Sequence, residues 1–132
     1  MMTFTRLSGA IGADVHGLDL SQPLNAQEVR TILDALDRHH VLFFREQSIL
    51  TIGQHMALAR NFGLPEPAPF KPRESEALVL TLDQYEPKGS QAANFHSDNT
   101  FRPSPPLGAL LQAQIEPAVG GDTCFALNVR GI

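Results

Sequence analysis

His96-Ser97-Asp98 sets an imidazole and a carboxylate two positions apart, inside the run Asn94-Phe95-His96-Ser97-Asp98-Asn99-Thr100-Phe101. Alternate residues of an extended strand project from one face, so on a strand these two side chains point the same way. One nitrogen and one oxygen donor on a shared face begin a 2-His-1-carboxylate facial triad, the ligand set that holds a divalent metal with positions left open in non-heme Fe(II) oxygenases. Taken alone the tripeptide is a weak signal, because a surface histidine beside an aspartate is ordinarily just solvated.

The other histidines carry less. His39 and His40 fall at the end of an expected helix, where a partial positive charge suits the dipole. His55 lies within a second expected helix and His16 beside a turn. Cys124 is the single cysteine, which rules out an intramolecular disulfide framework and a cysteine-based zinc site within one chain. Strand alternation reads it as a buried structural thiol.

The 132 residues are 42% hydrophobic and 18% charged, the composition of one globular domain over 1–132. The net charge of -4 with scattered Lys and Arg gives no basic footprint for nucleic acid and no polybasic membrane anchor. No apolar leader and no membrane-length apolar run is present, so the expected location is cytoplasmic.

The elements that must position the pair follow from patterning. Leu7 to Leu20, with Gly9, Gly12 and Gly17, suits short strands joined by tight turns. Asn25 with Glu28 forms a capping box, and Val29, Ile32, Leu33 and Leu36 then recur at helical spacing, predicting a helix over Ala26 to His39. Val41 to Phe44 reads as a strand buried on both faces. Thr51 with Gln54 opens a second helix, Ile52 to Phe62, whose stripe is Ile52, Met56, Ala59 and Phe62, with Gly63 at its end.

Pro65, Pro67, Pro69 and Pro72 then impose an extended loop. Strand patterns return at Ala77 to Leu82, at Gly108 to Ile115, where Gln112 and Gln114 alternate with apolar residues, and at Thr123 to Ala126 after the turn Gly120-Gly121-Asp122. The polar stretch Asp83 to Asn94 between them reads as a loop. Helices first and strands later suggest α+β.

Several blocks in order resemble the taurine dioxygenase (TauD/TfdA) family from about Leu7 to Phe125. They are Gly12-Ala13-Asp14-Val15 with Gly17 to Leu24; His40 to Gln47; Ala59-Arg60-Asn61-Phe62-Gly63; His96 to Phe101 with Pro105-Pro106; and Gly120-Gly121-Asp122-Thr123. The resemblance implies the N-terminal part of a jelly-roll (double-stranded β-helix) with flanking helices. It implies Fe(II) as cofactor, His96 and Asp98 as two of three iron ligands, and Thr123 as a hydrogen-bond partner of the 2-oxoglutarate carboxylate.

The implied reaction consumes O2 and 2-oxoglutarate, releases succinate and CO2, and hydroxylates a small organic substrate. Phe101 and Arg102 line the substrate entrance in that picture, a reading that competes with Phe101 as core. Where the taurine enzyme has a histidine and a tyrosine for its sulfonate, this chain carries Ala68 and Lys71, so taurine is not the first expectation. Lys71 and Arg73 could still attract an anion.

The family's third ligand, a histidine, and an arginine that pairs with the far carboxylate of 2-oxoglutarate have no counterparts here. The residues Leu127 to Ile132 do not resemble the family's continuation. The expectation is a chain truncated near Ala126, with an incomplete barrel and an incomplete site, and with exposed apolar faces that favour self-association into a homo-oligomer. An alternative is a non-catalytic remnant acting only in association.

Overall fold

The computed structural model describes residues 1–66, 94–120 and 122–127. Three short strands and two helices make up its regular part: β1 (Thr3–Arg6), β2 (Ala13–His16), α1 (Ala26–His39), β3 (Leu42–Phe44) and α2 (Ile52–Arg60). The sheet order is β1-β2-β3, with β1 antiparallel to β2 and β2 parallel to β3. A parallel pair requires a crossover, and α1 supplies it. The expected strands at Ala77 to Leu82, and most of the proline-rich and polar loops, lie outside the described residues.

Helix α1 has the predicted limits. The Asn25 side chain accepts hydrogen bonds from the Gln27 and Glu28 amides at 2.9 and 3.0 Å, while the Glu28 carboxylate accepts from the Asn25 amide at 2.8 Å. These contacts satisfy amides that have no partner within the helix. At the other end His40 takes a left-handed conformation, φ 64°, and its amide donates to the Leu36 carbonyl. The chain then turns back, and the Gly12 and Ala13 amides donate to the His39 and Val41 carbonyls at 2.8 and 3.0 Å.

The buried apolar residues among those described are Ala13, Val15, Ile32, Ala35, Leu50 and Leu58. Ile32 and Ala35 bring the inner face of α1 into this core. Strand β3 differs from expectation, being half-buried along its length rather than covered on both faces. It is the outer strand of the sheet among the described residues, with β2 on one side, so it lacks the second neighbour that buries a central parallel strand.

Helix α2 stops two residues earlier than predicted, with Asn61 as its cap. Its buried residue is Leu58, whereas Ile52 from the expected stripe is 71% exposed. The alternating segments Gly108 to Ile115 and Thr123 to Ala126 form no strands. Alternation permits a strand but does not create one; a ladder needs a backbone partner, and none of the described segments pairs with them. Residues 94–120 and 122–127 therefore form an irregular arm. Phe95, Phe101, Leu107, Leu111, Ile115 and Val119 along it are exposed.

Gly17 has φ +75°, and a Cβ built on it would lie 2.6 Å from the Met1 carbonyl oxygen. Both the conformation and the backbone neighbour oppose a side chain. Gly17→Ala is expected to cost about 1–3 kcal/mol, read as a lowered urea midpoint; an unchanged midpoint would refute the close approach of the N-terminus.

Candidate metal site

His96 and Asp98 lie side by side, but not on a strand. Residues 95–97 are irregular and 98–101 form a turn, with Asn99 left-handed at φ 56° and the Arg102 amide donating to the Asn99 carbonyl at 3.1 Å. The turn, rather than strand alternation, brings the two side chains together. His96 Nε2 lies 3.1 Å from Asp98 Oδ1.

The ring's other nitrogen is engaged. His96 Nδ1 lies 3.0 Å from the Asn94 carbonyl, which can only accept, so Nδ1 carries the proton and donates. In the neutral ring this leaves the Nε2 lone pair facing the carboxylate. A backbone carbonyl holding the second nitrogen is the usual support of a metal-binding imidazole.

The spacing can be tested against a metal. Two donors each about 2.1 Å from one ion and at right angles across it lie about 3.0 Å apart. The 3.1 Å separation matches such a pair, and it equally matches the hydrogen bond of a protonated His96 to Asp98. An ion pair this exposed, 56% and 75% for the two side chains, contributes little to folding. Among the described residues no group of three or more His, Cys, Asp or Glu side chains converges, and two protein donors are what the structure assembles.

The Asn94 carbonyl, and after it the charge of Asp98, raise the His96 pKa above its ordinary value. A metal binds the neutral imidazole, so protons compete up to a higher pH than for a free histidine. Mn(II) affinity is expected to fall about tenfold per pH unit below that pKa and to level off above it. A titration from about pH 5.5 to about pH 8 checks this; a flat profile would contradict His96 as a ligand.

Thr123 is exposed and lies in an irregular segment. Among the described residues no hydrogen bond joins it to His96 or Asp98. Cys124 beside it is also exposed, which corrects the expectation of a buried thiol: without strand alternation nothing turns it inward. Phe101 is 71% exposed and is not core, and Arg102 pairs with Glu66. Lys71 and Arg73 lie outside the described residues.

Of the other histidines, His16 lies 3.1 Å from the Thr5 hydroxyl, His39 stacks on Phe4, and His55 contacts the Leu110 carbonyl. None approaches the His96-Asp98 pair. No described helix is long and apolar enough to cross a membrane.

Sequence reading missed the glutamines that place the arm. Gln112 was legible only as part of a wet face, yet its side-chain amide accepts from the Leu50 amide and donates to the Ser48 carbonyl, both at 3.0 Å. Gln47 similarly accepts from the Leu20 amide and donates to the Leu18 carbonyl.

Comparison with known proteins identifies the family. Residues 3–127 match the model of the family described as "Taurine catabolism dioxygenase TauD, TfdA family". An alkylsulfatase of Acinetobacter baylyi is 38% identical over 122 residues, covering 92% of this chain and 38% of the relative. An alpha-ketoglutarate-dependent sulfate ester dioxygenase of Pseudomonas putida is 36% identical over 121 residues, covering 91% of this chain and 40% of the relative. The chain thus spans about two-fifths of the length of these relatives.

Among solved structures, AAD-2 in complex with Mn(II) and N-oxalylglycine aligns at a TM-score of 0.47 and 38% identity, over 49% of this chain and 25% of that one. The family match runs through the turn that pairs His96 with Asp98 and on past Thr123, and the chain belongs to the TauD/TfdA family of dioxygenases.

Proposed function

We propose that this chain carries part of the iron site of a 2-oxoglutarate-dependent dioxygenase, with His96 and Asp98 as two protein ligands and Thr123 as a hydrogen-bond donor to the cosubstrate's carboxylate. The observation that supports this most is the cis-ligand spacing of His96 Nε2 and Asp98 Oδ1, with Nδ1 held by a carbonyl. Iron held there would supply, with 2-oxoglutarate and O2, oxidative decarboxylation to succinate and CO2 coupled to hydroxylation of a substrate C–H bond.

The chain's own residues do simpler work. The Asn94 carbonyl keeps the proton on Nδ1 and so leaves the Nε2 lone pair of the neutral ring on the side of Asp98. Asp98 brings the negative charge that a divalent cation requires, and a carboxylate oxygen is a hard donor suited to iron(II). The Thr123 hydroxyl is exposed and is a hydrogen-bond donor by its chemistry. The three-stranded sheet with α1 and α2 is the opening of the jelly-roll, and the protein works in the cytoplasm.

The substrate is a small organic anion. Sulfate esters, which the P. putida relative acts on by name, are the first compounds to try. Anaerobic titration of the chain with Fe(II) and 2-oxoglutarate should give the visible charge-transfer band of the chelate. No band, together with no Mn(II) binding, would overturn the assignment.

A second reading rests on the exposed apolar side chains of the arm, which suit association of copies of the chain without catalysis. A stable oligomer without metal affinity, unchanged by His96→Ala, would favour that reading.

A further inference from the structure

The arm bearing the site residues pairs with the N-terminal sheet through no ladder, so its placement depends on side-chain contacts. Four are present among the described residues. Arg102 pairs with Glu66 just after the His96-Asp98 turn. His55 Nε2, on α2, lies 3.2 Å from the Leu110 carbonyl; the carbonyl can only accept, so Nε2 carries the proton and donates. The Gln112 amide bonds Ser48 O and Leu50 N. Phe125 packs edge-on against Phe43 of β3, with centroids 6.1 Å apart, and the Arg45 guanidinium also lies over Phe43.

The Gln112 contacts have a specific form. Ser48 O and Leu50 N are the acceptor and donor, two residues apart, that a neighbouring strand would engage in a ladder. One side-chain amide meets both with its own donor and acceptor. Leu50 is among the buried residues, so its amide has little water to turn to, and an unpaired amide there is costly. His55 fixes the carbonyl two residues before Gln112 and thereby sets which residue of the arm faces Leu50.

We propose that Gln112 and His55 are positioning residues that hold the arm in register, so that Thr123, between the Gln112 and Phe125 attachments, stays in place relative to the His96-Asp98 pair. This rests on the site assignment above. The pair itself is local, built by its own turn and the Asn94 carbonyl, and does not need the fasteners. Thr123 does.

The test uses the 132-residue chain, Gln112→Leu, Gln112→Glu and His55→Ala, with amide exchange followed by NMR and Mn(II) binding measured with and without 2-oxoglutarate. In Gln112→Leu the Leu50 amide should exchange about tenfold faster, while the Ala13 amide, bonded within the sheet region, stays protected and shows the fold intact. In Gln112→Glu the Leu50 exchange rate should fall between those of the unsubstituted chain and Gln112→Leu, because a carboxylate oxygen still accepts from Leu50 N but has no hydrogen to give the Ser48 carbonyl.

Mn(II) alone should bind all four proteins within about twofold of one another, since the pair is local. The tightening of Mn(II) by 2-oxoglutarate should fall about tenfold in Gln112→Leu and His55→Ala, and by less in Gln112→Glu, which keeps the acceptor for Leu50 N but not the donor to Ser48 O. A Leu50 amide already fast in the unsubstituted chain, or a 2-oxoglutarate effect indifferent to Gln112, would overturn the positioning role. No Mn(II) binding by the unsubstituted chain would overturn the site assignment instead, and the positioning role with it, whatever the Leu50 amide does.

Discussion

His96→Ala is expected to abolish divalent-metal binding by this chain, measured as loss of the Mn(II) signal and of the Fe(II)-2-oxoglutarate band. The described residues bring together two donors, so removing the imidazole leaves Asp98 alone, and one exposed carboxylate competes poorly with water for an ion that wants several ligands. Changes to residues that merely support metal ligands cost about 10–100-fold in affinity; removing a ligand costs more. Asp98→Asn should weaken binding by about a hundredfold or more on the same reasoning, because the amide keeps an oxygen but gives up the charge.

Neither substitution should alter far-UV circular dichroism. Both side chains are exposed, and the turn around them is held by backbone contacts. Binding that survives both substitutions would show that the metal sits elsewhere.

Ile32→Ala is expected to destabilise the fold by about 2–5 kcal/mol. Ile32 is 4% exposed on the inner face of α1, in a core to which only five other buried apolar residues belong among those described. A domain's net stability is of the order of 0.05–0.15 kcal/mol per residue, so one cavity here removes a large share of it. Thermal and urea melts should show a much lower midpoint or no cooperative transition. Ile52→Ala, at a position 71% exposed, should stay within about 0.5 kcal/mol of the parent. Equal effects at the two positions would refute the core as described.

Helix α1 was readable to the residue because both of its determinants are local: a capping box at Asn25 and a stripe at helical spacing. Strands were less readable, since a strand exists only where a second backbone completes its hydrogen bonds. Strand β1 lies ahead of the segment where glycine spacing suggested strands, whereas Gly108 to Ile115 and Thr123 to Ala126 have the alternation but no described partner.

His96 and Asp98 were legible as a pair for a reason that survives the loss of the strand: two positions apart, they are neighbours in many backbone conformations. The scaffold beneath them is a turn. Gln112 was not legible, because its partners at Ser48 and Leu50 lie more than sixty residues away. In α2 the buried residue is Leu58, whereas Ile52 of the expected stripe is exposed.

The crossover of α1 between β2 and β3 bears on the order of assembly as the chain emerges from the ribosome. The strand pairing of the unit β1-β2-α1-β3 closes within the first 44 residues, and such short-range pairing forms early and fast. The arm has no ladder to wait for and can only dock onto a unit already built. Synthesis therefore presents a finished platform before the turn that pairs His96 with Asp98 is translated.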